Sequence, residues 1–133
     1  MKNAELKISA WMAIVMGIFL PVMETVRRIY QILDLKEFFS WFDDYILGMI
    51  LLYAAFRALT QKFNAISYLI AAWGIGTGGI FLSLLGQLKY LQSNTADPGI
   101  FSTTLVFLAK AVILIYMLIG LRLSIKSNEI NAH

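Results

Sequence analysis

The residues of this chain best placed to do chemistry are ionisable side chains set inside apolar sequence, and Lys110 is the sharpest of them. It stands in residues 101–123, a stretch with no other charge before Arg122. A lysine at mid-membrane costs at least about 2.5–3.5 kcal/mol on insertion scales, so it must be compensated. Glu24 lies near the end of a first apolar run, and Asp43 and Asp44 open a second. At a helical rise of 1.5 Å per residue, Lys110 falls roughly 13 Å below Phe101, and Glu24 about 9 Å below residue 30. Snorkelling of the lysine stem by about 6 Å brings its ammonium to the depth of Glu24. Glu24 also precedes Arg28 by four residues, the favourable order for an intrahelical pair. The expectation is a polar cluster near the outer end of the helices made of Glu24, Arg28, Asp43, Asp44 and Lys110, joined by Gln87, with Glu24 bridging Arg28 and Lys110. Such a cluster suits a proton, an ion or a small anion. It suits equally a structural ion pair that fixes helix register.

Other chemistries lack their residues. There is no cysteine, and the lone histidine is His133, so disulfides, thiolate or imidazole metal sites and axial haem ligation have no donors inside the apolar stretches. No Ser/His/Asp set and no phosphate-binding loop is present, and the expectation is a protein without cofactor, metal or catalytic residues, hence not an enzyme. Gly74-Ile-Gly76-Thr-Gly78-Gly79 matches the G-x-G-x-x-G spacing of dinucleotide sites. That reading fails on context, because the fingerprint needs a strand before it and an exposed helix start, and this match sits mid-way along an uncharged apolar run. The glycines read better as packing. Ala72, Gly76, Gly79, Ser83 and Gly86 follow spacings of four and three and form one small-residue seam, with Gly74 and Gly78 on a neighbouring face. One face is expected to pack inside the chain, against Gly48 and Ala55; the other either packs within the chain as well or meets a second subunit.

The elements that position these residues follow from composition. The chain is 59% hydrophobic and 14% charged, with a mean hydropathy of +0.73, whereas soluble domains carry about 25% charged residues. Lipid is the natural solvent. A spanning helix needs about 20 apolar residues, and four such stretches occur, at residues 8–30, 41–59, 65–88 and 101–123. The fold expected is an all-α integral membrane protein, a single domain over 1–133 forming an antiparallel bundle of four transmembrane helices. Between the first two, Ile32, Leu35, Phe39 and Phe42 recur at helical spacing and predict a short amphipathic interfacial helix, with Tyr30, Trp41 and Tyr45 at headgroup level. Pro21 removes a hydrogen bond to Gly17 and predicts a hinge or static bend there. Asp97 and Pro98 read as the cap and first turn of the fourth helix.

Orientation follows from basic residues near the helix ends. Lys2, Lys7, Arg57, Lys62, Arg122 and Lys126 fall on one side, and Arg27, Arg28, Lys36 and Lys89 on the other. Both termini are therefore expected in the cytoplasm, with a bacterial cytoplasmic membrane the expected location. Lys2 and Lys7 precede an apolar run as in a signal peptide, but no small-residue cleavage site follows, and the run is expected to stay as an anchor. The isoelectric point of about 9.3 reflects bases scattered at helix ends, which suits anionic headgroups rather than nucleic acid. The sequence thus points to a structural or accessory membrane subunit or homo-oligomer packed through its glycine-rich third helix. The alternative is a small-anion or proton transporter or channel built on Lys110 and Glu24.

Overall fold

A computed structural model describes residues 3–35 and 37–132. Lys2 and Lys36, counted above in the charge bias, and His133 lie outside the described residues. The described residues contain no strand. They form α1 (Ala4–Arg27), α2 (Ile29–Leu33), α3 (Phe38–Leu59), α4 (Ala65–Gln92) and α5 (Thr103–Ala132). The four longer helices are each long and apolar enough to cross a membrane.

Each long helix packs against two neighbours, in the order α1, α3, α4, α5 and back to α1. Asn3 caps α1, its side chain accepting from the Leu6 N–H at 3.3 Å while donating to Ser127 Oγ at 2.8 Å. One end of the bundle therefore gathers the start of α1 and the last turns of α5. The opposite end gathers the close of α1 and the 93–102 loop, where the Ile100 N–H donates to the Arg27 carbonyl at 3.1 Å.

Helix backbones approach closely between α1 and α3. A Cβ on Gly48 would stand 2.6 Å from the Gly17 carbonyl oxygen and 2.7 Å from the Pro21 ring, so only glycine permits this approach. Pro21 cannot donate to the Gly17 carbonyl, and that oxygen faces α3 instead. Gly48, expected against the third long helix, thus meets α1 instead, while Gly76 of that helix faces Met117 and Leu47. α1 continues as one helix through Pro21 to Arg27. Deeper in the core, Trp73 is fully buried, and its Nε1–H donates to Ser9 Oγ at 2.8 Å. Ser9 Oγ also lies 2.7 Å from Ser124 Oγ and 2.9 Å from the Gly120 carbonyl. This knot joins α1, α4 and α5 without leaving the indole N–H unpaired.

The predicted surface helix divides differently. α2 ends at Leu33, Leu35 and Glu37 adopt positive φ of 52° and 50°, and Phe39 and Phe42 belong to the first turns of α3. The left-handed residues break the helical period of the sequence pattern. Phe38, Trp41, Phe42 and Tyr45 then pack ring against ring along the start of α3, Phe38 stacked on Phe42 and Trp41 edge-on to Phe38 and Tyr45, where Trp41 is buried and Phe39 exposed.

Candidate functional site

Four polar side chains stand on the core-facing stripes of four helices, all toward the end that holds the 93–102 loop. On α1 the buried positions Leu6, Ala10, Ala13, Gly17, Leu20 and Glu24 follow spacings of four and three. On α5, Lys110 falls between buried Val106 and Met117 in the same rhythm. Asp44 lies four residues before buried Gly48 on α3, and Gln87 seven after buried Ile80 on α4. The helical period therefore aims all four toward the bundle interior.

Glu24 is only 4% exposed and takes two guanidinium groups, Arg27 Nη1 at 3.0 Å and Arg28 Nε at 2.8 Å. Arg27 reaches on to Asp97, with Nη2 2.8 Å from Oδ1 and Nε 3.3 Å from Oδ2, a two-pronged contact that fits the planar guanidinium. Gln87, 1% exposed, donates to Asp97 Oδ1 at 3.2 Å and to the Thr103 carbonyl at 3.3 Å. Its Oε1 accepts from Lys110 Nζ at 3.3 Å. A continuous chain of contacts thus runs from Arg28 through Glu24, Arg27, Asp97 and Gln87 to Lys110. Burial pushes the Asp97 carboxyl up, but hydrogen bonds from Arg27 and from the Gly99 N–H outweigh it and hold the group below its ordinary value of 3.8.

This wiring differs from the sequence expectation in two ways. Glu24 bridges Arg28 to Arg27 and not to Lys110, because Arg27, one turn along the same helix, reaches it first. Asp97 does not cap the last helix: α5 begins at Thr103, the Leu105 N–H bonds Ser102 Oγ at 3.3 Å, and Asp97 is buried under Arg27. Arg27 and Asp97 are the members that sequence reasoning missed. The (i, i+3) spacing of Arg27 from Glu24 was the available signal; the approach of Asp97 across 70 residues had none.

Asp43 and Asp44 remain outside the chain of contacts. Asp43 Oδ1 accepts from the Asp44 N–H at 2.9 Å, and among the described residues no hydrogen bond or ion pair engages the Asp44 carboxylate. Both acids line a cavity of about 310 Å³, with Glu24, Arg27, Arg28 and Lys110 also on its walls. Phe19, Leu20, Met23, Ile80, Phe101 and Ile113 supply the apolar part. Among the described residues no group of three or more His, Cys, Asp or Glu is gathered to hold a metal ion. The chain matches no protein-family model, no curated protein and no solved structure. The site is therefore read from its own geometry.

The glycine seam of α4 is divided. Ala72 and Gly76 are buried, Gly76 against Met117 and Leu47. Ser83 lines the cavity. Gly74, Gly78, Gly79 and Gly86 have open space where a Cβ would stand. Arg57, at the far end of α3, lies over the Tyr68 ring at 4.1 Å and donates to the Phe63 carbonyl at 2.7 Å, closing the α3–α4 turn.

Proposed function

We propose that this chain is a non-enzymatic integral membrane protein, an antiparallel bundle of four spans with both termini cytoplasmic, which holds a small ligand in the cavity between its helices. The observation that carries the reading is the state of the charges on the cavity walls. Among the described residues Asp44 on α3 has no partner within ion-pair distance, and across the bundle Lys110 on α5 is met by the neutral Gln87 amide alone. A brace that served stability alone would spend its charges on one another, as Glu24, Arg27 and Asp97 do. Unengaged ionisable groups at this depth are costly unless water or a ligand meets them. The volume lies at the lower end of small-molecule sites, which run from about 300 to 1,000 Å³. Exposed Ile8, Trp11, Val15, Ile18 and Val22 on α1, and Leu108, Val112 and Ile115 on α5, supply lipid-facing surface.

The test uses the absence of cysteine. Ser83→Cys in the cavity should react with a polar thiol reagent in detergent without added phospholipid, while Ala72→Cys in the dry core should not. An unreactive Ser83→Cys in a folded protein would leave the sealed brace as the whole account.

A second reading rests on the open glycines of α4. Gly74 and Gly78, four apart and facing away from the core, support close approach of another helix, in a second copy or a larger complex. Gly78→Leu should then dissociate a detergent-stable assembly, and an unchanged sedimentation profile would remove this reading.

A further inference from the structure

We infer that the cavity binds the headgroup of a zwitterionic, primary-amine phospholipid of the phosphatidylethanolamine class; this rests on the ligand-holding reading above and names its ligand. The first observation is where the cavity opens. α1 and α5 are joined toward the far end, by Asn3 with Ser127, Ser9 with Ser124, and the Tyr116 hydroxyl donating to the Met12 carbonyl at 3.1 Å. Beyond that point four of the cavity-lining residues of the two helices are exposed and apolar, Phe19 and Met23 on α1 and Leu105 and Ala109 on α5. A mouth edged by such residues faces hydrocarbon, so the occupant enters from the bilayer and can leave its acyl chains there. At the loop end the rim is polar, with exposed Ser40 and Asp43.

The second observation is charge complementarity. The walls present an unengaged carboxylate, Asp44, beside Asp43 on one side and the weakly held Lys110 ammonium on the other. Asp44 stands about 9 Å along α3 from Phe38 and Lys110 about 10 Å along α5 from Thr103 at 1.5 Å per residue, and both face the same cavity. A ligand with a phosphate and an ammonium a few bonds apart satisfies both at once. The phosphate meets Lys110, and the ammonium donates to Asp44 and Asp43 through charge-assisted hydrogen bonds. A single-charge ligand would leave one wall charge unmet. A trimethylated choline head has no N–H to donate to the carboxylates, and a glycerol head carries no positive charge.

The test compares three probes on the full chain in detergent, phosphatidylethanolamine, phosphatidylcholine and phosphatidylglycerol of equal acyl length, with bound lipid counted by native mass spectrometry. Phosphatidylethanolamine should bind about tenfold more tightly than either, the ratio that one charge-assisted contact of about 1.4 kcal/mol supplies. Asp44→Asn should bring it to the level of phosphatidylglycerol, and Lys110→Met should weaken all three. Equal binding of the three lipids to the unaltered protein would overturn the proposal, and that comparison needs no variant to fold. Displacement by dodecylammonium as effective as by the phospholipid would overturn it in favour of a simple cation site. If Ser83→Cys is reactive and headgroups are not distinguished, only the ligand class fails; if Ser83→Cys is unreactive, the cavity reading fails with it.

Discussion

Asp97 is the residue on which the loop end of the bundle depends. Its carboxylate takes Arg27 twice, Gln87 and the Gly99 N–H, and its pKa is depressed in the folded state. A depressed carboxyl stabilises the fold above its unfolded value, and that contribution is lost as pH falls through the folded one. Thermal unfolding between pH 7 and pH 3 should therefore show a falling melting temperature below about pH 4, and Asp97→Asn should lower stability at pH 7 and flatten this acid limb. Ser9 is a second such point. Ser9→Ala leaves the buried Trp73 N–H without its acceptor, and should cost about 1 kcal/mol, between the ~0.6 typical of interhelical bonds in membranes and the larger penalty for an orphaned donor. Chemical unfolding in detergent would measure it. Lys110, Glu24 and Gln87 stood out in the sequence because charge or amide inside an apolar run is conspicuous. Ser9 and Ser124 did not, since a hydroxyl in such a run is common and its partner lies more than 100 positions away.

At the scale of the helix, the two sets of glycines should behave oppositely. Gly48 sits where a Cβ would collide with the backbone of α1, which cannot yield, so Gly48→Ala should destabilise by about 1–3 kcal/mol through overpacking. Gly78 faces open space, and Gly78→Ala should be neutral or stabilising because alanine is the better helix former by up to about 1 kcal/mol. Paired melting curves of the two variants check both. The sequence made the α4 glycines look like the main seam because their spacing is regular. A close backbone-to-backbone approach lies at Gly17 and Gly48 instead, where a proline-freed carbonyl and a missing Cβ coincide. Helix existence was legible from apolar length. The α2–α3 connection was not, because the turn at Leu35 and Glu37 uses left-handed backbone at residues that do not advertise it.

For the molecule as a whole, four helices long and apolar enough to span a membrane were legible from composition, since about 20 apolar residues are needed to cross hydrocarbon and little else satisfies them. The partners of the charges were not legible, because they are set by which loops meet, and a loop 70 residues away carries no periodic signal. That separation bears on how the chain is made. At about 5–20 residues per second, the ribosome needs roughly 4–14 s after Arg27 emerges before Asp97 exists. During that interval the carboxylate within reach of Arg27 and Arg28 is Glu24, which is on the same helix and needs nothing synthesised later. In the finished bundle Glu24 keeps both arginines, and Asp97 adds a second carboxylate to Arg27. Glu24→Gln should lower the fraction of nascent chains that integrate into membranes in a cell-free translation assay. Asp97→Asn should integrate normally and fail only later, as reduced thermal stability of the finished bundle.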